Sequence, residues 1–499
     1  MCREAGPADE FVRVRGQRLI GGFCLAAALC APLAYGATTT NPANSQSCGS
    51  GGSVVRYVVG APTARRVTDT VSCRYPTGAQ AMEPSFDVAA DGTVLFQSWG
   101  VFGPAGLPPQ PAVLRSRPPY AHWTDVSPVG PGQSFDPNLI LDHRTNRVFS
   151  INYAGDGAST CSTMSFSDNE GSSWTSSPLA CAGGFDGQSV GVGPPSTTKP
   201  VGYPDVIYYC TGTTLTSSPP TSTPVCSKSL DGGVTFVPTG GYPYPVYGAQ
   251  DYFAPWAGNP IVDADGTLFL PKRYGGEPTI AISHDEGLTW SVRTVAHNGA
   301  AGEATRAAVD RDGNVYYAWT GTNHLPYVAY SRDHGVHWSR PLMVAPPGVN
   351  EGDLPRVAAD HAGHVAIAFL GTTNAPGKPY YAYCNVLLSP CSDDNYAKTR
   401  WNGYLLTTTN LFEPHPVVVA ATVNPVDRPL FVGGCSADGA CKADLDFIDT
   451  RLGPDGSPWA IFADDCAVKA SQVNAINSQL PRCGDGVGEG IFERLLPTR

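Results

Sequence analysis

Guanidinium and carboxylate side chains recur at one place along this chain, just ahead of short strand–turn–strand segments. Glu83, Asp136, Asp186, Glu303, Arg306, Glu351, Asp353, Arg356, Asp444 and Asp446 stand there, and Arg273 with Tyr274 follows one such segment. A guanidinium can grip a carboxylate with two parallel hydrogen bonds. The same spacing also allows plain structural pairing, Arg306 with Glu303 and Arg356 with Asp353.

Other chemistries fail on context. Gly187-Gln188-Ser189-Val190-Gly191 has the spacing of a nucleophile elbow, but Gly-Pro-Pro follows where a helix is required. Asp310-Arg311-Asp312-Gly313-Asn314 hints at a calcium loop, yet its Gly stands fourth rather than sixth and no Glu closes it. No CxxC and no HExxH occurs, and the histidines lack metal spacing. Neither a metal nor a cofactor is expected.

The elements that must position these side chains are repeats. Ser167-x-Asn169-x-Gly171-x-x-Trp174 returns as Ser229, Asp231, Gly233 and Phe236, as Ser283, Asp285, Gly287 and Trp290, and as Ser331, Asp333, Gly335 and Trp338. Ser116 to Trp123 keeps only the ends of the pattern. Ser and Asp side chains cap the backbone N–H groups of a tight turn, and Gly takes a positive φ. The aromatic then opens the next strand and fills space between sheets. A second hairpin precedes each of these units. Asp87 to Phe96, Pro260 to Leu270, Ala307 to Ala318, Val357 to Phe369 and Phe447 to Phe462 read as strand, turn, strand, with looser versions at Leu139 to Ile151 and Val190 to Tyr209. Seven inner hairpins, mostly paired with an outer one, predict an all-β chain: one β-propeller of seven four-stranded blades, with six as the alternative. Val54 to Val59 is expected to pair with the last sheet and close the ring.

The outer repeats resemble the Asp-box, or BNR repeat, of the sialidase superfamily. The segments Gly434 to Asp449 and Ile461 to Cys466 resemble the closing part of secreted sialidase-like proteins. The resemblance runs from about residue 80 to 466. It implies that the box aspartates are structural and lie on outer turns. It also implies a glycoside hydrolase site at the channel mouth, with three arginines clamping a sugar carboxylate. Arg273, Arg306 and Arg356 then form the clamp, Tyr274 is the nucleophile with Glu303 as its base, and Asp136 is the acid. The Arg-Ile-Pro motif of that superfamily does not occur here. Three functions stay open: an exo-glycosidase acting on carboxylated, sialic-acid-like glycans; a carbohydrate-binding or protein-binding propeller without catalysis; and a propeller polysaccharide lyase.

The remaining sequence describes the setting. Arg13, Arg15 and Arg18 precede an apolar run from Leu19 to Leu33, and Ala34-Tyr35-Gly36 follows, so residues 1–36 read as a cleaved signal peptide. Residues 37–52 read as a flexible linker, 53–466 as the propeller and 467–499 as a tail. Twelve cysteines beyond the signal fall into neighbouring couples: Cys48/Cys73, Cys161/Cys181, Cys210/Cys226, Cys384/Cys391, Cys435/Cys441 and Cys466/Cys483. In a secreted chain such couples read as local disulfides, with the last tying the tail to the propeller. Gly (56) and Pro (46) are abundant among 499 residues and charged residues make up only 15%, which excludes coiled coils and helix bundles. A net charge of −11 argues against nucleic acid as a partner. No later segment is apolar enough to span a membrane. The expected product is a secreted monomer whose partner is a glycan.

Overall fold

The computed structural model describes residues 38–39, 47–49, 52–101, 110–128, 135–153, 162–180, 186–215, 221–245, 247–248, 257–373, 400–425, 428–432, 448–464 and 488–498. Residues 1–36 lie outside this set, as do Cys161, Cys181, Cys384, Cys391, Cys435, Cys441, Cys466 and Cys483. Among the described residues there is no helix.

Seven antiparallel sheets follow one another along the chain and form a seven-bladed β-propeller. The inner hairpins expected from sequence supply the first two strands of each blade. The first blade runs Ser85–Val88, Val94–Val101, Gln110–Ser116 and Trp123–Asp125. The fifth runs Ala301–Val309, Val315–Thr320, Pro326–Ser331 and Leu342–Met343. The sixth begins with Glu351–His361 and His364–Thr372.

The four box turns join the third and fourth strands of blades two to five. Each is built alike. The Ser Oγ accepts the Gly N–H, at 2.9 Å for Ser167 and Gly171 and at 2.8 Å in the other three. The Ser hydroxyl donates to Asn169, Asp231, Asp285 or Asp333. That oxygen then takes the backbone N–H four residues further on. All four glycines have φ between 80° and 94°, where a side chain would be strained. Each aromatic packs over the seam with the preceding blade: Trp174 against Leu95 and Val113, Phe236 beside Phe149 and Ile151, Trp290 beside Val206 and Tyr208, Trp338 beside Phe269 and Ile282. These aspartates are occupied by their own turns.

Ring closure differs from the expectation. Val54–Val58 pairs with Val417–Thr422 as an outer strand of the sixth blade, not the last. The strand that completes the seventh blade is Thr70–Ala81, in register with Gly488–Pro497 from Thr70↔Pro497 to Ala81↔Gly488. The reason is burial. The longer strand places Cys73, Tyr75 and Ala81 in an aromatic core with Trp459 and Phe492, whereas Val54–Val58 buries only Val54 and Tyr57. The propeller therefore extends past 466, because Gly488–Pro497, expected in a tail, is the third strand of the last blade. Ser47–Cys48, expected in a linker, pairs with the edge of the same sheet.

Two disulfides join described residues. Cys48 bonds Cys73 and Cys210 bonds Cys226. Each links directly opposed residues on neighbouring strands.

Candidate functional site: the central channel

The innermost strands enclose a cavity of about 620 Å³, and all seven blades contribute to its lining. Blade five sends Arg306 and blade six sends Arg356. The two occupy equivalent positions. In both strands a bulge interrupts the ladder, between Ala301 and Arg306 and between Asp353 and Arg356, and the arginine stands where regular pairing resumes. A bulge re-aims the side chains next to it. Arg356 is 3% exposed, and its Nε donates to the carbonyl of Ile448 on blade seven at 2.8 Å. Arg306 is half-buried, with Nη1 donating to the Thr305 carbonyl at 3.1 Å.

The other expected residues are placed differently. Arg273 closes the second strand of blade four and donates from Nε to the Ala300 carbonyl at 3.0 Å. The Tyr274 ring lies 5.5 Å from that of Tyr244 and joins a cluster with Leu270 and Ala281. Neither Arg273 nor Tyr274 lines the cavity that holds Arg306 and Arg356. Asp136 is buried at the start of the blade-two inner strand with φ 50°. Its backbone N–H donates to Oε2 of Glu83 at 2.9 Å, and its own Oδ2 accepts the Gly187 N–H at 3.0 Å. Carboxylates thus pass from blade to blade across the starts of three inner strands. Glu303 lies on the strand Ala301–Val309, but its side chain is outside the described residues, as are Asp444 and Asp446. Glu351 and Asp353 are buried beside Arg356 in sequence.

Sequence reading missed a polar chain inside the channel. Asp449 accepts from Arg451 Nη1 at 2.5 Å, Arg451 Nε lies 3.7 Å from Oδ2 of Asp87, and Oδ1 of Asp87 is 3.1 Å from His143 Nε2. The chain crosses blades seven, one and two, over the junction where the ring closes. Burial pushes the Asp87 carboxyl up, but His143, Arg451 and the Leu141 N–H hold it down at about 2. The Asp87 charge in turn raises His143. Nearby, Arg144 Nη1 bonds Asp205 at 2.8 Å, and Tyr203 donates its hydroxyl to Asp142. Burial and the Asp142 charge raise the Asp205 carboxyl. The only sequence signal for these residues was their place at the ends of inner hairpins.

Five arginines and six aspartates contribute to the channel lining. Such a site suits a polar ligand better than an apolar one.

No family model matches the chain and no curated protein matches it. Solved propellers are similar at low identity. A phage phi92 endosialidase is 12% identical over 89% of this chain and 72% of its own, with a TM-score of 0.44. The Aleuria aurantia lectin is 12% identical over 71% of this chain and 99% of its own, with a TM-score of 0.42. An α-L-arabinofuranosidase from Fusarium graminearum is 14% identical over 75% and 98%, with a TM-score of 0.39. At this distance none of them bears on what this chain binds.

Proposed function

We propose that this chain is a secreted β-propeller that binds a carboxylated glycan at its central channel. The observation behind this reading is the placement of Arg306 and Arg356, which equivalent bulges on neighbouring blades bring to the lining of one cavity. Two planar forks on adjacent strands match the bidentate demands of a sugar carboxylate. A cavity of about 620 Å³ lies within the range for small-molecule sites. Secretion is supported by the pattern of residues 1–36 and by the two disulfides.

Binding is favoured over hydrolysis by the surroundings of the expected catalytic groups. Tyr274 packs against Tyr244 and does not line the cavity, and Oδ2 of Asp136 holds a backbone N–H.

The test is calorimetric titration with N-acetylneuraminic acid and with a neutral hexose, beside a panel of fluorogenic glycosides that includes a sialoside. The acid should bind and the hexose should not. Arg306→Lys, which keeps the charge but removes the fork, should weaken binding at least about tenfold with an unchanged melting temperature. Failure of every carboxylated sugar to bind would sink the proposal. Fluorophore release that Tyr274→Phe abolishes would replace binding with exo-glycosidase catalysis.

A further inference from the structure

The inner hairpin of the sixth blade turns at Asp360-His361-Ala362-Gly363-His364, at the opposite end of its first strand from Arg356 and next to a second bulge between Ala359 and His361. Its three polar side chains converge. Nδ1 of His361 and Nδ1 of His364 each lie 2.7 Å from the same Oδ1 of Asp360. The two rings stand 4.6 Å apart at 47°. All three potential donor atoms lie within 4.8 Å of one another. One turn thus presents two imidazole nitrogens and one carboxylate oxygen to a common point.

Neighbouring blades hold this turn in place. Arg311, on the fifth blade, donates its backbone N–H and its Nε to the Asp360 carbonyl at 3.3 and 2.9 Å. The Gly363 N–H donates to the Tyr316 hydroxyl at 2.8 Å, and the Ala362 N–H to Asp312 at 3.3 Å. From the seventh blade, Gly456 faces the group. A side chain begun there would meet His364 Cε1 at 3.5 Å and Asp360 Oδ2 at 3.9 Å. His364 is nearly buried, Asp360 is 22% exposed and His361 is 51% exposed. The group is thus supported from behind and open on the His361 side.

We propose that Asp360, His361 and His364 bind a divalent transition-metal ion of the zinc class. Two imidazoles and a carboxylate suit such ions, whereas an all-oxygen shell suits calcium or magnesium. Zinc takes nitrogen and carboxylate oxygen at about 2.0–2.2 Å, so tetrahedral ligand atoms stand roughly 3.4 Å apart. Both imidazole–carboxylate separations are 2.7 Å and all three atoms lie within 4.8 Å of one another, so widening each contact by about 0.7 Å brings it to that spacing. The three protein ligands leave the fourth position to solvent on the His361 side. The sequence concealed this set, because its spacing over a five-residue turn matches no helical or paired-cysteine motif.

The test is titration of zinc chloride into the full chain, prepared without a polyhistidine tag, and into His361→Gln and His364→Gln variants. The unaltered chain should take up one equivalent and gain melting temperature as zinc is added. Each substitution should lower affinity at least about tenfold, in keeping with the cost of disturbing even outer-shell groups. His361 is half in solvent, so its variant reports binding without a folding defect. Cobalt substituted for zinc should give a visible absorption band that both variants lose. No uptake by the unaltered chain, or equal uptake by both variants, would overturn the proposal.

Discussion

His143, at the first turn of the second blade, sets its Nε2 3.1 Å from Oδ1 of Asp87 on the inner strand of the first. The pair joins two blades across the channel wall, and its two charges depend on each other. Asp87 ionises near 2 rather than 3.8, so its stabilisation is present above about 4 and is lost as pH falls toward 2. His143 is raised above 6.5, so its stabilisation is full below 6.5 and is lost as pH rises through the raised value. The pair therefore contributes most between about 4 and 6.5. His143→Gln should lower the melting temperature at pH 5.5 more than at pH 8.5, as read by calorimetry across that range. An equal loss at both values would show that the ion pair contributes nothing. The effect should be modest because the imidazole is largely exposed.

Glu493 supplies a second pH test. It is fully buried on the strand Gly488–Pro497, and neither carboxyl oxygen has a hydrogen-bond partner among the described residues. Burial raises its pKa well above 4.5, against the Arg74 charge. A carboxyl raised on folding destabilises the native state as pH climbs above 4.5. Glu493→Met, similar in length and apolar, should stabilise the fold by about 1 kcal/mol or more at pH 7.5 and by less at pH 4. A lower melting temperature at pH 7.5 would show that the carboxyl has a role in the native state.

Trp290 tests the structural reading of the box turns. Its ring lies between blades three and four, and its Nε1 donates to the Gly287 carbonyl at 3.0 Å. Trp290→Ala should cost about 3 kcal/mol, at the low end for aromatic truncation because the ring is only partly buried. Ligand affinity measured well below the melting temperature should stay unchanged. A variant that kept its melting temperature but lost ligand binding would move the box from scaffold to site.

The closing strand should be indispensable. Removing 488–499 exposes unpaired edges on Pro458–Asp464 and Thr70–Ala81 and uncovers Trp123, Trp459 and Tyr75. Open edges of this length promote association. The shortened chain should lose cooperative unfolding and should elute as aggregate on gel filtration. A soluble monomer with a sharp transition would mean that the ring closes without this strand.

The repeat of blades was legible in the residues because its signals are local. An Asx–Gly turn and a Ser–Asp–Gly–aromatic turn are decided by a few neighbouring side chains and one positive φ, so seven sheets could be read from short stretches. Closure was not legible in that way. Only Val54 to Val59 reads as a closing strand, whereas the aromatic core with Trp459 and Phe492 gives that place to Thr70–Ala81, which the sequence did not mark. The channel was legible in part. The positions ahead of the inner hairpins did bring Arg306 and Arg356 to one wall, because inner strands must begin near the axis. Tyr274 and Arg273 stand on a second strand, where packing against Tyr244 and the reach of the Ala300 carbonyl set their direction. The chain from Asp449 through Arg451 and Asp87 to His143, and the meeting of Asp360 with two histidines, arose from tertiary placement. Local turn chemistry is written in the sequence, while contacts between side chains on different blades, or across one rigid turn, depend on how the ring sets them in space.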